Sequence, residues 1–272
     1  MITGYSNIIS VTTLPSPLLL DTYPSAAAAY SVRKLRTAYT GNAIRVRRSS
    51  DNTEQDIGFY GNILDTSALT TFCSGTNGFI TTWYDQSGNG LNATQTTAIQ
   101  QPKIVSSGNV LTNGGKPCLE FDNVNDSLQT TLTINRPYSI YAQFLQFGNG
   151  ATRMLNSNNA INSLISSSRS GNTVYTNGDV VANAYASNNQ NVIISLIESS
   201  SATTKFFYNN NDIAKVSPAS NNWGVLCFGY GLTVSSQEPA NGQIKETIVW
   251  ATDQASNNTG IQTNMNSYYG IY

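Results

Sequence analysis

Short apolar and aromatic runs recur along this chain, and clusters of Gly, Asn and Ser separate them. Ile44-Arg45-Val46-Arg47 alternates apolar and charged residues, the period of a strand with one buried face. Phe79-Ile80-Thr81-Thr82-Trp83-Tyr84 is β-branched and aromatic. So are Tyr138-Ser139-Ile140-Tyr141, Val192-Ile193-Ile194-Ser195-Leu196, Lys205-Phe206-Phe207-Tyr208 and Thr247-Ile248-Val249-Trp250. Between them sit turn formers such as Ser87-Gly88-Asn89-Gly90, Thr112-Asn113-Gly114-Gly115 and Asn209-Asn210-Asn211-Asp212. Many short strands with such punctuation predict an all-β sandwich or jelly roll rather than βαβ units.

Two stretches depart from that rhythm. Residues 24–39 predict a helix on the N-terminal side: Pro24 suits a first turn, Ala26 to Ala29 favour helix, and Gly41 suits the stop. A second, short helix is predicted within 253–268, with Ile261 and Met265 on one face. Residues 1–18 read as an extended arm, because Pro15 and Pro17 bias their neighbours away from helix. Ile8, Ile9 and Val11 in that arm could add a strand to another chain, or form a first edge strand. Residues 19–272 carry no further boundary and are expected to form one domain.

Composition narrows the chemistry. Only 11% of the 272 residues are charged and the net charge is −1, so neither nucleic acid nor a membrane is an expected partner. The chain has no histidine, which removes Ser-His-Asp and Cys-His catalysis and every His-ligated metal. Cys73, Cys118 and Cys227 are far apart and odd in number, and are expected as buried thiols. The opening Met1-Ile2-Thr3-Gly4-Tyr5 has no basic region and Leu18-Leu19-Leu20 is short, so no ordinary signal peptide is expected. Arg33, Lys34, Arg36, Arg45, Arg47 and Arg48 crowd six of the fourteen basic residues into sixteen positions. Pairing with Asp51, Glu54, Asp56, Asp65 and Asp85 accounts for them, and an acidic partner is the alternative.

Three motifs resemble the amino-terminal part of the α-L-arabinofuranosidase B sandwich. They are Ala28-Ala29-Tyr30-Ser31-Val32-Arg33, Thr71-Phe72-Cys73 followed by Trp83-Tyr84-Asp85-Gln86-Ser87-Gly88-Asn89-Gly90, and Lys116-Pro117-Cys118-Leu119-Glu120-Phe121-Asp122. The resemblance covers roughly residues 25–122 and implies a concanavalin A-like jelly-roll sandwich. It also implies a disulfide partner for Cys73, and the position that would carry it holds Gly78. Residues 16–272, down to Asn266-Ser267-Tyr268-Tyr269-Gly270-Ile271-Tyr272, look similar to laminin-G-type domains in structural proteins of tailed, crAss-like phages.

Two readings of function follow. A retaining glycosidase needs two carboxyls about 5 Å apart. After residue 126 no two acids alternate on one predicted strand, and Phe147-Gly148-Asn149-Gly150-Ala151-Thr152, the segment where the arabinofuranosidase resemblance implies a nucleophilic Glu after a Gly-Asn pair, holds no carboxylate. Glu246 and Asp253 are the first catalytic candidates, against a strand-face carboxylate and a helix cap. The phage resemblance therefore leads to the expectation of a non-catalytic virion protein, a head fibre or capsid decoration. It would assemble in the host cytoplasm, oligomerise with its own kind, dock on other virion proteins through the arm and display a lectin-like sandwich to glycans. A glycoside hydrolase acting on arabinose-containing polysaccharide is the alternative. Trp83, Tyr84, Asp85 and Asn89 are the candidate carbohydrate-binding residues, with a structural turn as the competing reading. Asp122, Asn125 and Asp126 are candidate Ca²⁺ ligands, no other cofactor being expected, with a plain turn as the alternative.

Overall fold

The computed structural model describes residues 17–148, 152–157, 163–165, 174–176, 179–181, 189–200, 204–213, 222–230 and 239–272. Ile8, Ile9 and Val11 lie outside the described residues. The first half of the chain gives helix α1 (Leu19–Thr22), then β1 (Ala28–Ser31), β2 (Ile44–Arg48) and β3 (Glu54–Ile57). Helix α2 (Thr66–Phe72) precedes β4 (Gly78–Trp83), β5 (Lys103–Ser106) and β6 (Leu119–Asp122). The second half gives β7 (Ser127–Ile134), β8 (Tyr138–Gln146), β9 (Arg153–Ser157), β10 (Asn191–Glu198), β11 (Thr204–Tyr208), β12 (Gly224–Gly229), β13 (Asn241–Trp250) and helix α3 (Asn258–Tyr269).

One layer of the sandwich runs β11, β10, β8, β13, all antiparallel. The far edge of β13 is shared by β1, opposite Glu246 to Val249, and β6, opposite Asn241 to Ile244. The other layer runs β3, β2, β4 and then, through Ala93–Thr94, β7, β12 and β9. Strand β5 pairs with both β6 and β4 and joins the layers along one side. Ile140, Ala142, Val192, Ile194 and Leu196 of the first layer meet Ile44, Ile80, Leu128, Leu226 and Phe228 of the second in one apolar core.

Strands β8, β10 and β13 are buried along nearly their whole length because both of their faces are covered. Tyr141, Ile193, Ile248 and Trp250 point outward into a second core, closed by α3 and α1. Ile261, Met265 and Tyr269, spaced four apart on α3, fill it. The helix stops at Gly270, which takes the left-handed conformation (φ 63°) and donates its N–H to the Asn266 carbonyl. A bulge between Gln143 and Phe144 of β8 leaves Lys245 of β13 without a register partner there, and places Lys245 and Glu246 on consecutive buried positions. At Gly242 an added Cβ would fall 2.1 Å from the Leu145 carbonyl oxygen, so only glycine fits where the two strands close up.

The all-β sandwich and the C-terminal helix agree with the sequence reading. The helix expected over residues 24–39 does not form. Ala28–Ser31 is β1, and Leu19–Thr22 is a single helical turn. Ala29 donates its N–H to Asp85 Oδ1 and accepts from the Gln86 N–H, so the strand is held on the side away from β13 as well. Paired on both edges and fully buried, the alanines satisfy a tight strand site, and tertiary pairing outweighs their helix preference. Helix α2 was not anticipated. Its signal is Asp65, whose Oδ1 accepts from the Ala68 N–H, followed by buried Leu69 and Phe72.

Candidate functional site

In a chain without histidine, acid–base chemistry near neutral pH falls mainly to carboxyl groups. Most described acids are already committed to holding the chain together. Glu246, fully buried, receives Arg33 Nε at 2.7 Å and Nη2 at 2.9 Å, Ser31 Oγ at 2.7 Å and Tyr269 Oη at 3.0 Å. Glu198 accepts from Thr204 Oγ1 at 2.6 Å and lies 3.8 Å from Arg136. Asp51 is bound to Arg48 and Asp56 to Arg45, at 2.6 and 3.0 Å. Asp253 Oδ1 accepts from the Ala255 N–H at the start of a 3₁₀ turn. Glu246 and Asp253 thus turn out as an ion-pair partner and a turn cap. The basic cluster is taken up largely by internal pairs, though Arg33 reaches a partner 213 residues away rather than a neighbour in sequence.

The Asp-Gln-Ser-Gly-Asn-Gly run is a clamp made of its own polar atoms. Asp85 accepts from the N–H groups of Ala29 (2.9 Å), Ser87 (2.8 Å) and Leu91 (3.1 Å). Gln86 accepts from the Leu35 N–H and donates to the carbonyls of Ser31 and Arg33. Asn89 donates to the carbonyls of Ala26 and Ala27. Trp83 is fully buried in a cluster with Tyr30 and Phe228, at centroid distances of 5.8 and 5.3 Å, so it is not open to a sugar. Tyr84 donates to Asp56 Oδ1 at 2.6 Å, and burial beside that carboxylate pushes its hydroxyl up to about 12. Of these four, Tyr84 and Asn89 remain partly or largely exposed, while Trp83 and Asp85 serve the fold.

One group of acids is left in a concavity. Glu120 and Asp122 alternate on β6, between the core residues Leu119 and Phe121, and so share the face away from the core. Asp126 lies four residues on, immediately before β7. All three line a groove of about 490 Å³ with Lys103, Gln101 and Phe79. That volume is in the range of small-molecule sites. Arg47 closes one wall, stacked over the Phe79 ring at 5.1 Å and donating to Gln101 Oε1 at 2.7 Å. Burial and the neighbouring Asp122 carboxylate raise the Asp126 carboxyl from 3.8 to about 7, and Lys103 only partly offsets this. Asp126 Oδ2 accepts from the Asp122 N–H at 3.0 Å, and Asp122 Oδ1 accepts from Val124 and Asn125 at 2.8 and 3.3 Å.

The groove thus holds a buried carboxyl pushed above its ordinary range next to a solvent-exposed one. The described residues contain no group of three acidic, Cys or His side chains able to hold a metal. Asn125 Oδ1 is buried without a partner. Glu120, Lys103 and Phe79 were missed from sequence, although the alternation of Glu120 and Asp122 in Leu119-Glu120-Phe121-Asp122 signals a shared polar face.

Comparison with known proteins gives a consistent picture. The family model described as "Alpha-L-arabinofuranosidase B, catalytic" matches residues 21–184. Alpha-L-arabinofuranosidase B of Aspergillus kawachii is 42% identical over 74 residues, 26% of this chain and 15% of that enzyme. The Aspergillus niger enzyme is 40% identical over the same length. The chain therefore aligns with about a seventh of the curated relatives' length. A GH54 arabinofuranosidase soaked with a cyclic sulfate inhibitor superposes with a TM-score of 0.67 at 17% identity, covering 91% of this chain and 64% of that one. An arabinofuranosidase complexed with arabinofuranosyl-α-1,2-xylobiose gives 0.65 at 17% identity, with the same coverage. These matches correct the expectation of a non-catalytic head-fibre or capsid-decoration protein located in a virion. The matching family is one of enzymes, the relatives are fungal, and the match extends past residue 122 over β7, β8 and β9. The Cys73 element agrees: a Cβ placed at Gly78 would stand 2.8 Å from Cys73 Sγ, where a bridging cysteine would have to sit.

Proposed function

The chain belongs to the α-L-arabinofuranosidase B catalytic-domain family, and from that premise we propose that it is a glycoside hydrolase removing α-L-arabinofuranosyl groups from arabinose-bearing polysaccharide. The family match over residues 21–184 carries the reading, and the acid-lined groove supplies it with chemistry. In this reading Asp126 gives its proton to the departing glycosidic oxygen as the C–O bond breaks. Asp122 supports the positive charge that develops on the sugar ring. Water completes the exchange, so that one glycosidic bond is replaced by a free arabinose and a free alcohol, and Asp126 recovers a proton. Lys103 would supply a donor to sugar hydroxyls, and Phe79 lines the same groove.

The test is product analysis on arabinoxylan and arabinan. Free arabinose should appear with the wild-type chain, and Asp126→Asn should lower its release by about a hundredfold, the scale of losing a general acid. No arabinose from either polymer would contradict the hydrolase reading. Full activity in Asp126→Asn would keep the hydrolase and remove the proton donor from this groove.

A further inference from the structure

We propose that the open groove between the hairpin formed by Phe59–Tyr60 and Ile63–Leu64 and helix α2 is a second glycan-binding surface. It would hold a neutral polysaccharide against the ring of Tyr60, apart from the acid-lined groove. The proposal rests on the reading that this chain acts on arabinose-bearing polymers. Its physical basis is separate.

The hairpin pairs Phe59 with Leu64 and Tyr60 with Ile63 across a turn containing Gly61 (φ 61°). Phe59 packs toward the core and Leu64 is buried, whereas Tyr60 is 77% and Ile63 50% exposed. Among the described residues five large hydrophobics are exposed, and this short hairpin holds two of them side by side. Exposed apolar side chains placed together at the lip of a depression mark a contact surface more often than scattered ones do. The depression has a volume of about 840 Å³. Leu64, Ala68 and Phe72 line its apolar part, and Thr66, Ser67 and Thr71 add hydroxyl-bearing side chains.

Charge selects the occupant. The one cation of the groove is already paired within the chain. Arg48 is bound bidentately to Asp51, at 2.9 and 2.6 Å, and stacks on Phe72 at 5.1 Å. Asp65, the other ionic side chain, is an anion that accepts from the Ala68 N–H at the start of α2. A groove with no free cation, a carboxylate, an outward tyrosine ring and several hydroxyls offers little to an anionic polymer. It suits a neutral polysaccharide, whose C–H faces stack on the ring while its hydroxyls exchange hydrogen bonds with Thr and Ser. Such a surface would keep the chain on its polymer between cleavages and raise the local concentration of side groups.

The experiment is native electrophoresis of the full chain in gels containing arabinoxylan or arabinan. Turnover of 4-nitrophenyl α-L-arabinofuranoside, too small to span both grooves, is followed in parallel. The wild type should be slowed by polymer. Tyr60→Ala should weaken the retardation at least about fivefold, the scale of losing one aromatic contact, and Tyr60→Phe should retain it. Turnover of the small glycoside should be the same in all three. Tyr60 is exposed, so its removal should leave the unfolding midpoint unchanged. Equal retardation of wild type and Tyr60→Ala, or none of the wild type in either polymer, overturns the proposal. Tyr60-dependent retardation without turnover of the small glycoside supports the surface and counts against the hydrolase reading.

Discussion

Replacing Asp126 by asparagine should stabilise the protein, and by an amount that depends on pH. The folded chain holds this proton to about 7, whereas an ordinary aspartate releases it near 3.8. Between those values the native state binds more protons than the unfolded chain, so stability falls as pH rises. The contribution of the neutral carboxyl is complete below about pH 4 and is lost as pH climbs through 7. The difference of about 3 pH units, at about 1.36 kcal/mol each, sets the loss at about 4 kcal/mol. Asparagine keeps an oxygen for the Asp122 N–H and carries no charge, so the variant escapes the loss. Urea unfolding followed by tryptophan fluorescence should find the two proteins within about 1 kcal/mol at pH 4, and Asp126→Asn ahead by about 2–4 kcal/mol at pH 8. A gain of the same size at both pH values, or a loss at pH 8, would refute the assignment of a buried, reluctant acid at the groove.

Glu246→Gln should be among the most damaging single changes, because it strands the buried Arg33 guanidinium; a loss of about 3–5 kcal/mol in urea unfolding is expected. Gly78→Cys should close a bridge to Cys73 on oxidation, Val46 and Val105 giving way by a few tenths of an ångström. Mass spectrometry of the denatured, non-reduced protein should then count two alkylatable thiols, and the bridge should add about 2 kcal/mol. In the wild type all three cysteines are buried and unpaired, and burial raises the Cys118 and Cys227 thiols to about 12 and 11. Ellman's reagent should therefore label the native protein slowly near neutral pH and all three thiols at once in denaturant.

The sandwich was legible because its strands carry their burial pattern in plain alternation or in unbroken apolar runs. Val192 to Leu196 reads as a strand covered on both faces, and its odd and even residues do enter different cores. The alanine stretch misled, since helix propensity is a weak local preference and the clamp at Asp85 and Gln86 lies more than fifty residues away. A longer separation, 213 residues, hid the partner of Arg33, whose carboxylate is on the last strand. Trp83 and Asp85 had the right composition for a sugar site, but exposure is set by tertiary packing, and both turn inward. At Asp122 and Asp126 sequence located a cluster of acids, but the raised pKa of Asp126 follows from its burial, which sequence does not show. The family resemblance was legible in three motifs within residues 25–122, which the family match over residues 21–184 contains.

The central claim is hydrolysis by a pair of carboxyls of which one stays protonated near neutrality. Its most direct test is the pH dependence of kcat/KM for 4-nitrophenyl α-L-arabinofuranoside with the full chain. The account predicts measurable nitrophenol release that declines above about pH 7 as Asp126 ionises, with that limb absent in Asp126→Asn. A chain that binds the glycoside but releases no nitrophenol at any pH contradicts it.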